Sequence, residues 1–127
     1  MFEKLELTRM AQAMAAQAGA RMGVIAQNVA NADTPGYKAM DMPSFADTYA
    51  EAGGAMRATR AGHFAAPDAA MEPQIRRDIN TGAPNGNSVS LEQEMVKAAG
   101  VRQDHEMALA IYRNTSDIIR ASLGRSR

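Results

Sequence analysis

Two stretches of helical periodicity, one at each end of the chain, constrain the fold more than any other feature. In the first, Leu7, Ala11, Met14, Ala18, Met22, Ile25, Val29 and Ala32 recur at steps of three and four. Their mean step of about 3.57 lies between the roughly 3.5 of a heptad seam and the roughly 3.6 of a straight helix. Ala, Met, Gln, Leu, Glu and Arg dominate this stretch, and all favour helix. In the second, two seven-residue series interleave: Leu91, Ala98, His105, Tyr112, Ile119, and Met95, Arg102, Leu109, Ser116, Leu123. Ser90 and Gln93 have the spacing of a capping box. Glu92 and Glu94 suit the positive end of the helix dipole, and Arg120 the negative end. Gly124 is placed to end the helix.

The spacing predicts helices over 1–33 and 90–124, whose periodic segments 2–32 and 90–123 are each roughly 45–50 Å long at about 1.5 Å per residue. Matched helices at opposite ends of one chain predict an all-α fold. The termini pair as an elongated antiparallel hairpin or coiled coil, in one domain spanning 1–127. Gly19 and Gly23 interrupt the first helix, each at a cost of about 1 kcal/mol relative to Ala. They are either two weak spots or a place where a neighbouring helix comes close.

Composition sharpens the picture. Of 127 residues, 26 are Ala and 10 are Met, whereas Leu, Ile, Val and Phe together number only 19. That is about 15%, below the roughly 20% at which a self-contained core becomes doubtful. High net charge, the usual companion of disorder, is absent: 14 basic residues balance 14 acidic ones. A hairpin with such small side chains buries little area, so packing against other subunits is needed to complete its core.

The middle, 34–89, differs in character. Asp41 to Tyr49 predicts a short helix with Pro43 in its first turn and Phe45 stacked on Tyr49 at i, i+4. Residues 53–89 are rich in Gly and Pro and read as loop, with Ile75 and Ile79 flanking one short strand or turn.

Several function classes are excluded or left without support. The zero net charge gives no footprint for nucleic acid or an anionic membrane. With no Cys there is no thiolate nucleophile or Cys-ligated zinc. No apolar run approaches the ~18 residues of a membrane span, so direct membrane insertion is not expected. The N-terminus lacks the basic region of a cleaved secretory signal. His105-Glu106 begins like a zinc-binding helix, but Leu109 stands where the second His belongs; His63 has no second ligand near it in sequence. Glu92 and Glu94 diverge on a helix and cannot share acid–base work. Neither a catalytic site, a cofactor nor a metal is expected. Met10, Met14 and Met22 read as packing, with a promiscuous binding surface as the alternative.

One segment stands apart: Asn28-Val29-Ala30-Asn31-Ala32-Asp33-Thr34-Pro35-Gly36-Tyr37-Lys38. Asn28 and Asn31 share a face in the last helical turn, where their amides can reach orphan carbonyls or a neighbour. Thr34 before Pro35 stops the helix. Pro35-Gly36 suits the central positions of a type II turn. Tyr37 then leaves from a rigid base. On composition alone this is an ordinary helix terminator.

The segment also resembles the signature of the bacterial flagellar rod and hook proteins, over eleven contiguous positions. Thr59 to His63 and Gly86 to Met95 are similar to stretches of the proximal rod subunits of that family. Departures from the family pattern fall at Ser90, Gly100 and His105. The resemblance implies a structural, non-enzymatic subunit of the proximal rod that assembles helically with its own copies and other rod proteins. In this reading it transmits torque and forms the axial export tube. It implies contact with the MS-ring/export-gate adaptor, passage through the flagellar type III export apparatus without a cleaved signal peptide, and a periplasmic location in the basal body. The implied assembly signature is Asn28, Asn31, Thr34, Pro35, Gly36 and Tyr37. The expected seams are Leu7, Met14, Met22, Ile25 and Val29 with Leu91, Met95, Leu109, Tyr112, Ile119 and Leu123. Alternatives are another rod subunit, or a cytoplasmic coiled-coil adaptor. The poor core predicts that the isolated chain at micromolar concentration has low helicity and melts over a shallow, weakly cooperative range by circular dichroism. A sharp transition from native-like helix content would contradict it.

Overall fold

The computed structural model describes residues 2–52, 74–75 and 83–124. Along the chain come α1 (Phe2–Ala30), β1 (Met40–Asp41), α2 (Phe45–Ala52), β2 (Gln74–Ile75) and α3 (Leu91–Leu123). The two terminal helices have 29 and 33 residues and lie against each other, as the matched periodicities predict. They run antiparallel. Near one end Ala11 shares a cleft with Ala108, and Ala18 shares the next with Val101. Near the other, Asn28 bonds to Glu94.

The contact is a heptad seam. Ala11, Ala18 and Ile25 of α1 are buried at steps of seven, and so are Glu94, Val101, Ala108 and Thr115 of α3. Ala18, Ile25 and Val101 form the apolar centre, with Met22 and Ala98 packed around them. Small side chains at the crossing points let the helix axes approach, at the expense of buried area. Gly19 and Gly23 are not part of this approach. Nothing lies within 4 Å of where a Cβ would sit at either, so within the chain they are openings on an exposed face.

Local chemistry explains where each element starts and stops. α1 ends at Ala30, short of 33, because the next amides turn inward. Asn31 N–H donates to the carbonyls of Gln27 and Asn28, and Ala32 N–H to that of Val29. Pro35-Gly36 then forms the predicted turn: Tyr37 N–H reaches Thr34 O at 3.3 Å, and Gly36 has φ +72°, the left-handed value required at the third position of a type II turn. α3 starts after Ser90, which is extended and makes no side-chain cap hydrogen bond; the Ser90–Gln93 capping box is therefore not formed. A related motif occurs at α2 instead. Ser44 Oγ accepts from Asp47 N–H at 3.3 Å and donates to Asp47 Oδ2 at 2.6 Å. α2 consequently begins at Phe45 rather than around Pro43, and Phe45 and Tyr49 stack as expected, ring centroids 5.7 Å apart. Gly124 does end α3, but in the right-handed region, its N–H donating to Arg120 O.

β1 and β2 pair antiparallel, Met40 with Ile75 and Asp41 with Gln74, so a strand ends where the segment read as strand or turn, 76–78, begins. The stretches 53–73 and 76–82, with His63, Ile79 and the Thr59–His63 similarity, lie outside the described residues. The last part of the expected loop, 83–89, is irregular but closely bonded to the end of α1, and Ser90, expected to open the helix, is extended with it.

Val101 is buried in the seam, whereas Val96, five residues earlier, is 74% exposed. Val101→Ala is expected to cost about 1–3 kcal/mol of hairpin stability and Val96→Ala less than about 0.5 kcal/mol, read as the change in urea midpoint of the helical signal. Equal effects would show that the seam lies elsewhere.

Candidate functional site

Three of the five buried polar side chains among the described residues, Asn28, Asn87 and Glu94, lie at the closed end of the hairpin. Asn28, in the last turn of α1, is fully buried, and each of its amide's hydrogen-bonding positions is used. Nδ2 donates to Met40 O at 2.6 Å and to Glu94 Oε2 at 3.0 Å. Oδ1 accepts from Met40 N–H at 3.0 Å and Tyr37 Oη–H at 3.4 Å. The side chain thus offers Met40 a donor and an acceptor as an adjacent strand would, while β2 takes the other edge of β1. An amide satisfied in this way carries little desolvation penalty and is strongly directional.

Glu94 is the second fully buried polar residue. A carboxylate without water costs several kcal/mol unless it is paired and hydrogen-bonded. Here Asn28 supplies one bond and Lys97, one turn on, another at 3.0 Å. Lys97 also approaches Asp41 at 3.5 Å, and Asp41 takes a two-pronged contact from Arg21, at 3.0 and 3.2 Å. Arg21, Asp41, Lys97 and Glu94 therefore alternate in sign and sum to zero across α1, β1 and α3. Gln17 extends the line by donating to Pro43 O at 2.5 Å. This row covers one side of the hairpin and ties the chain from 39 to 44 against it.

The segment 83–90 closes the end. Asn87 is buried, and its Nδ2 lies 2.9, 2.8 and 2.8 Å from the carbonyls of Asn31, Ala32 and Thr34. These carbonyls continue from α1; Asn31 O and Thr34 O take only turn bonds, from Thr34 N–H and Tyr37 N–H, and the amide of Asn87 adds a donor where the next helical turn would have supplied one. Gly36 N–H donates to Asn85 O, Ser88 N–H to Tyr37 O, and Ala39 N–H to Ser88 Oγ. Gly86 has φ +75° and sits so close to Gly36 that an added Cβ would lie 3.7 Å from the Gly36 Cα. Lys38 Nζ reaches Gly86 O at 2.9 Å.

The predicted signature residues are thus brought together, but they face different ways. Asn28 points into the core and Tyr37 toward it. Asn31 bonds locally, to Gln27 O and to Thr34 Oγ1. Thr34, Pro35 and Gly36 are exposed at the tip. Of the predicted seam residues, Ile25 is buried in the chain's own seam, and Met14, Met22, Leu109 and Ile119 are half-buried. Leu7, Val29, Leu91, Met95, Tyr112 and Leu123 are exposed, Met95 to 68% and Leu123 to 64%. The α3 stripe against α1 is 94/101/108/115, one position away from the Met95 series. Sequence reasoning missed Asn87 and Glu94. Their signal was present but ambiguous: Asn85-Gly86-Asn87 reads as a turn before a cap, and a Glu in the first helical turn is usually solvated. His105 is half-buried beside Met22 and Arg102 in an open cleft. Among the described residues no group of three His, Asp or Glu side chains is placed to hold a metal.

Residues 10–38, which hold most of α1 and the turn, match the family described as flagella basal body rod protein. A flagellar basal body rod protein FlgB of Cereibacter sphaeroides is 35% identical over 107 residues, 82% of this chain and 84% of that protein. The chain belongs to the FlgB family of flagellar basal body rod proteins. The protein of the same description in Aeromonas hydrophila is 38% identical over 79 residues, 58% of this chain and 59% of its own. The chain is a structural subunit of the flagellar rod, located in the basal body and assembling with other basal-body components. No helix among the described residues is long and apolar enough to cross a membrane.

The two signature asparagines should separate by experiment. Asn28→Ala strips Glu94 and Met40 of buried partners and is expected to cost about 2–3 kcal/mol. Asn31→Ala removes partly solvated local bonds and should cost less than about 1 kcal/mol. Matching losses in urea titrations would mean that burial of Asn28 does not set its role.

Proposed function

We propose that this subunit belongs to the proximal rod. Its hairpin forms part of the wall of the axial tube, packed against copies of itself, other rod proteins and the MS-ring/export-gate adaptor. The observation that carries the reading is the distribution of apolar side chains. Three of the seven buried seam residues are Ala and only Ile25 and Val101 are larger apolar side chains, while Leu7, Leu91, Met95, Val96, Met107, Ile118 and Leu123 are exposed along both helices. More large apolar side chains outside the seam than within it describe a subunit whose core is completed by neighbours. Interdigitated seams shared among subunits make a stiff tube, which suits the transmission of torque.

In the same reading the subunit leaves the cytoplasm through the flagellar type III apparatus, without a cleaved signal peptide, and assembles in the periplasm. Its role is structural rather than catalytic. Thr34, Pro35 and Gly36 present a rigid tip, and the buried members of the signature hold that tip in place. We assign the outward Leu7, Val29, Leu91, Met95, Tyr112 and Leu123 to contacts with neighbours.

The test is Met95→Glu combined with Leu123→Glu, two substitutions on exposed positions that leave the internal seam intact. The variant is expected to be exported and to retain the monomer's helix content, yet to abolish rod assembly and swimming. Normal motility would overturn the reading. The double change Pro35→Ala, Gly36→Ala is expected to impair rod assembly in the same assay, through the tip.

A further inference from the structure

The helical seam is nearly indifferent to its own register. In the observed pairing Ala11 meets Ala108 and Ala18 meets Val101. Sliding α3 by one heptad would set Ala18 against Ala108, Ile25 against Val101 and Ala11 against Thr115. Every apolar residue would still find a small or apolar neighbour, so burial discriminates poorly between the two arrangements. The connection cannot discriminate either. A short turn dictates the register of a hairpin, but the helices here are separated by sixty residues, 31–90, and the closure entropy of so long a link hardly changes with a shift of seven. Something else must choose.

We infer that the choice is made by the polar clasp at the closed end, with Asn87 as its positioning residue. Asn87 lies outside the 10–38 segment that matches the family, yet its amide holds the three carbonyls that continue α1. Its Oδ1 accepts from Val89 N–H at 2.8 Å, and its own N–H donates to Asn85 Oδ1 at 3.1 Å, so the backbone around it is fixed as well. α3 starts four residues later, after an extended Ser90, and Glu94 lies in its first turn, seven residues after Asn87. Anchoring Asn87 to the end of α1 therefore delivers Glu94 to Asn28. In the slipped pairing Asn28 would come level with Ala98, and Glu94 would pass beyond the end of α1. Two groups now fully buried would lose each other, and Lys97 would leave Asp41. Directional polar partners reject what an Ala seam tolerates. Because register decides which outward residues stand side by side on α1 and α3, Asn87 sets the surface the subunit presents, whatever binds there.

The chain has no cysteine, so register can be read by paired cysteines under mild oxidation. Ala11→Cys with Ala108→Cys reports the observed pairing, and Ala18→Cys with Ala108→Cys reports the slipped one. In the otherwise unchanged full-length chain the first pair is expected to form the disulfide and the second to form little. Asn87→Asp keeps the shape but removes the donor. It is expected to shift the ratio of the two cross-links toward the slipped pair by about tenfold or more, the size that follows when a buried amide loses its partners. Val101→Ala, which weakens the seam without touching the clasp, separates loss of register from loss of stability: it should lower both yields and preserve their ratio. An unchanged ratio in Asn87→Asp, or an equal shift in Val101→Ala, would overturn the inference.

Discussion

The contact between Asn28 and Glu94 joins two side chains that have no access to water and stand 66 residues apart in sequence. Neither could be buried alone. An isolated carboxylate in the interior would be expelled or protonated, and an unpaired amide would forfeit the bonds it makes in water. Together, with Met40, Tyr37 and Lys97 around them, they make a site with every direction occupied. The return of the chain from α1, the placing of β1 and the entry of α3 all converge on it. The row of Arg21, Asp41 and Lys97 extends the same logic, with charges alternating so that none is left uncompensated. A buried ionic group adds little net stability but penalises alternatives severely.

That division of labour explains the rest of the hairpin. Away from the clasp, only Ile25 and Val101 add larger side chains to Ala11, Ala18, Ala108 and Thr115, small residues that bring backbones close and bury little. Such a seam is weak in a lone subunit and well suited to a wall in which every helix has several neighbours. In the proposed reading, the large apolar side chains kept on the outside, Met95, Val96 and Leu123 among them, would supply those additional contacts. A rod must be stiff only when built. A subunit with a specific closed end and a lean, extended seam meets that requirement, and membership of the flagellar rod family agrees with it.

Much of this was legible in the residues. Leu7 to Ala32 and Leu91 to Leu123 carry periodicity long enough to announce two helices, and their placement at opposite ends implies a hairpin. Thr34-Pro35-Gly36 announces a helix stop and a turn, because Pro and Gly restrict or free the backbone locally. Helix caps were less legible, as Ser44 and Ser90 illustrate. Both precede helices and both have a suitable residue three positions on, yet only Ser44 closes its bond, since side-chain rotamers answer to surroundings that sequence spacing does not describe.

The amino-acid sequence by itself determined the helices, the turn and the poverty of the core, since propensity, periodicity and side-chain size act over a few neighbouring residues. Only the tertiary structure decided which stripe of α3 faces α1. It chose Glu94, Val101, Ala108 and Thr115 over the more apolar series beginning at Met95. It also turned Asn87 from an apparent turn residue into the cap of a distant helix. Both outcomes depend on a buried polar group finding its partner across dozens of residues, and that matching exists only once the chain has closed on itself.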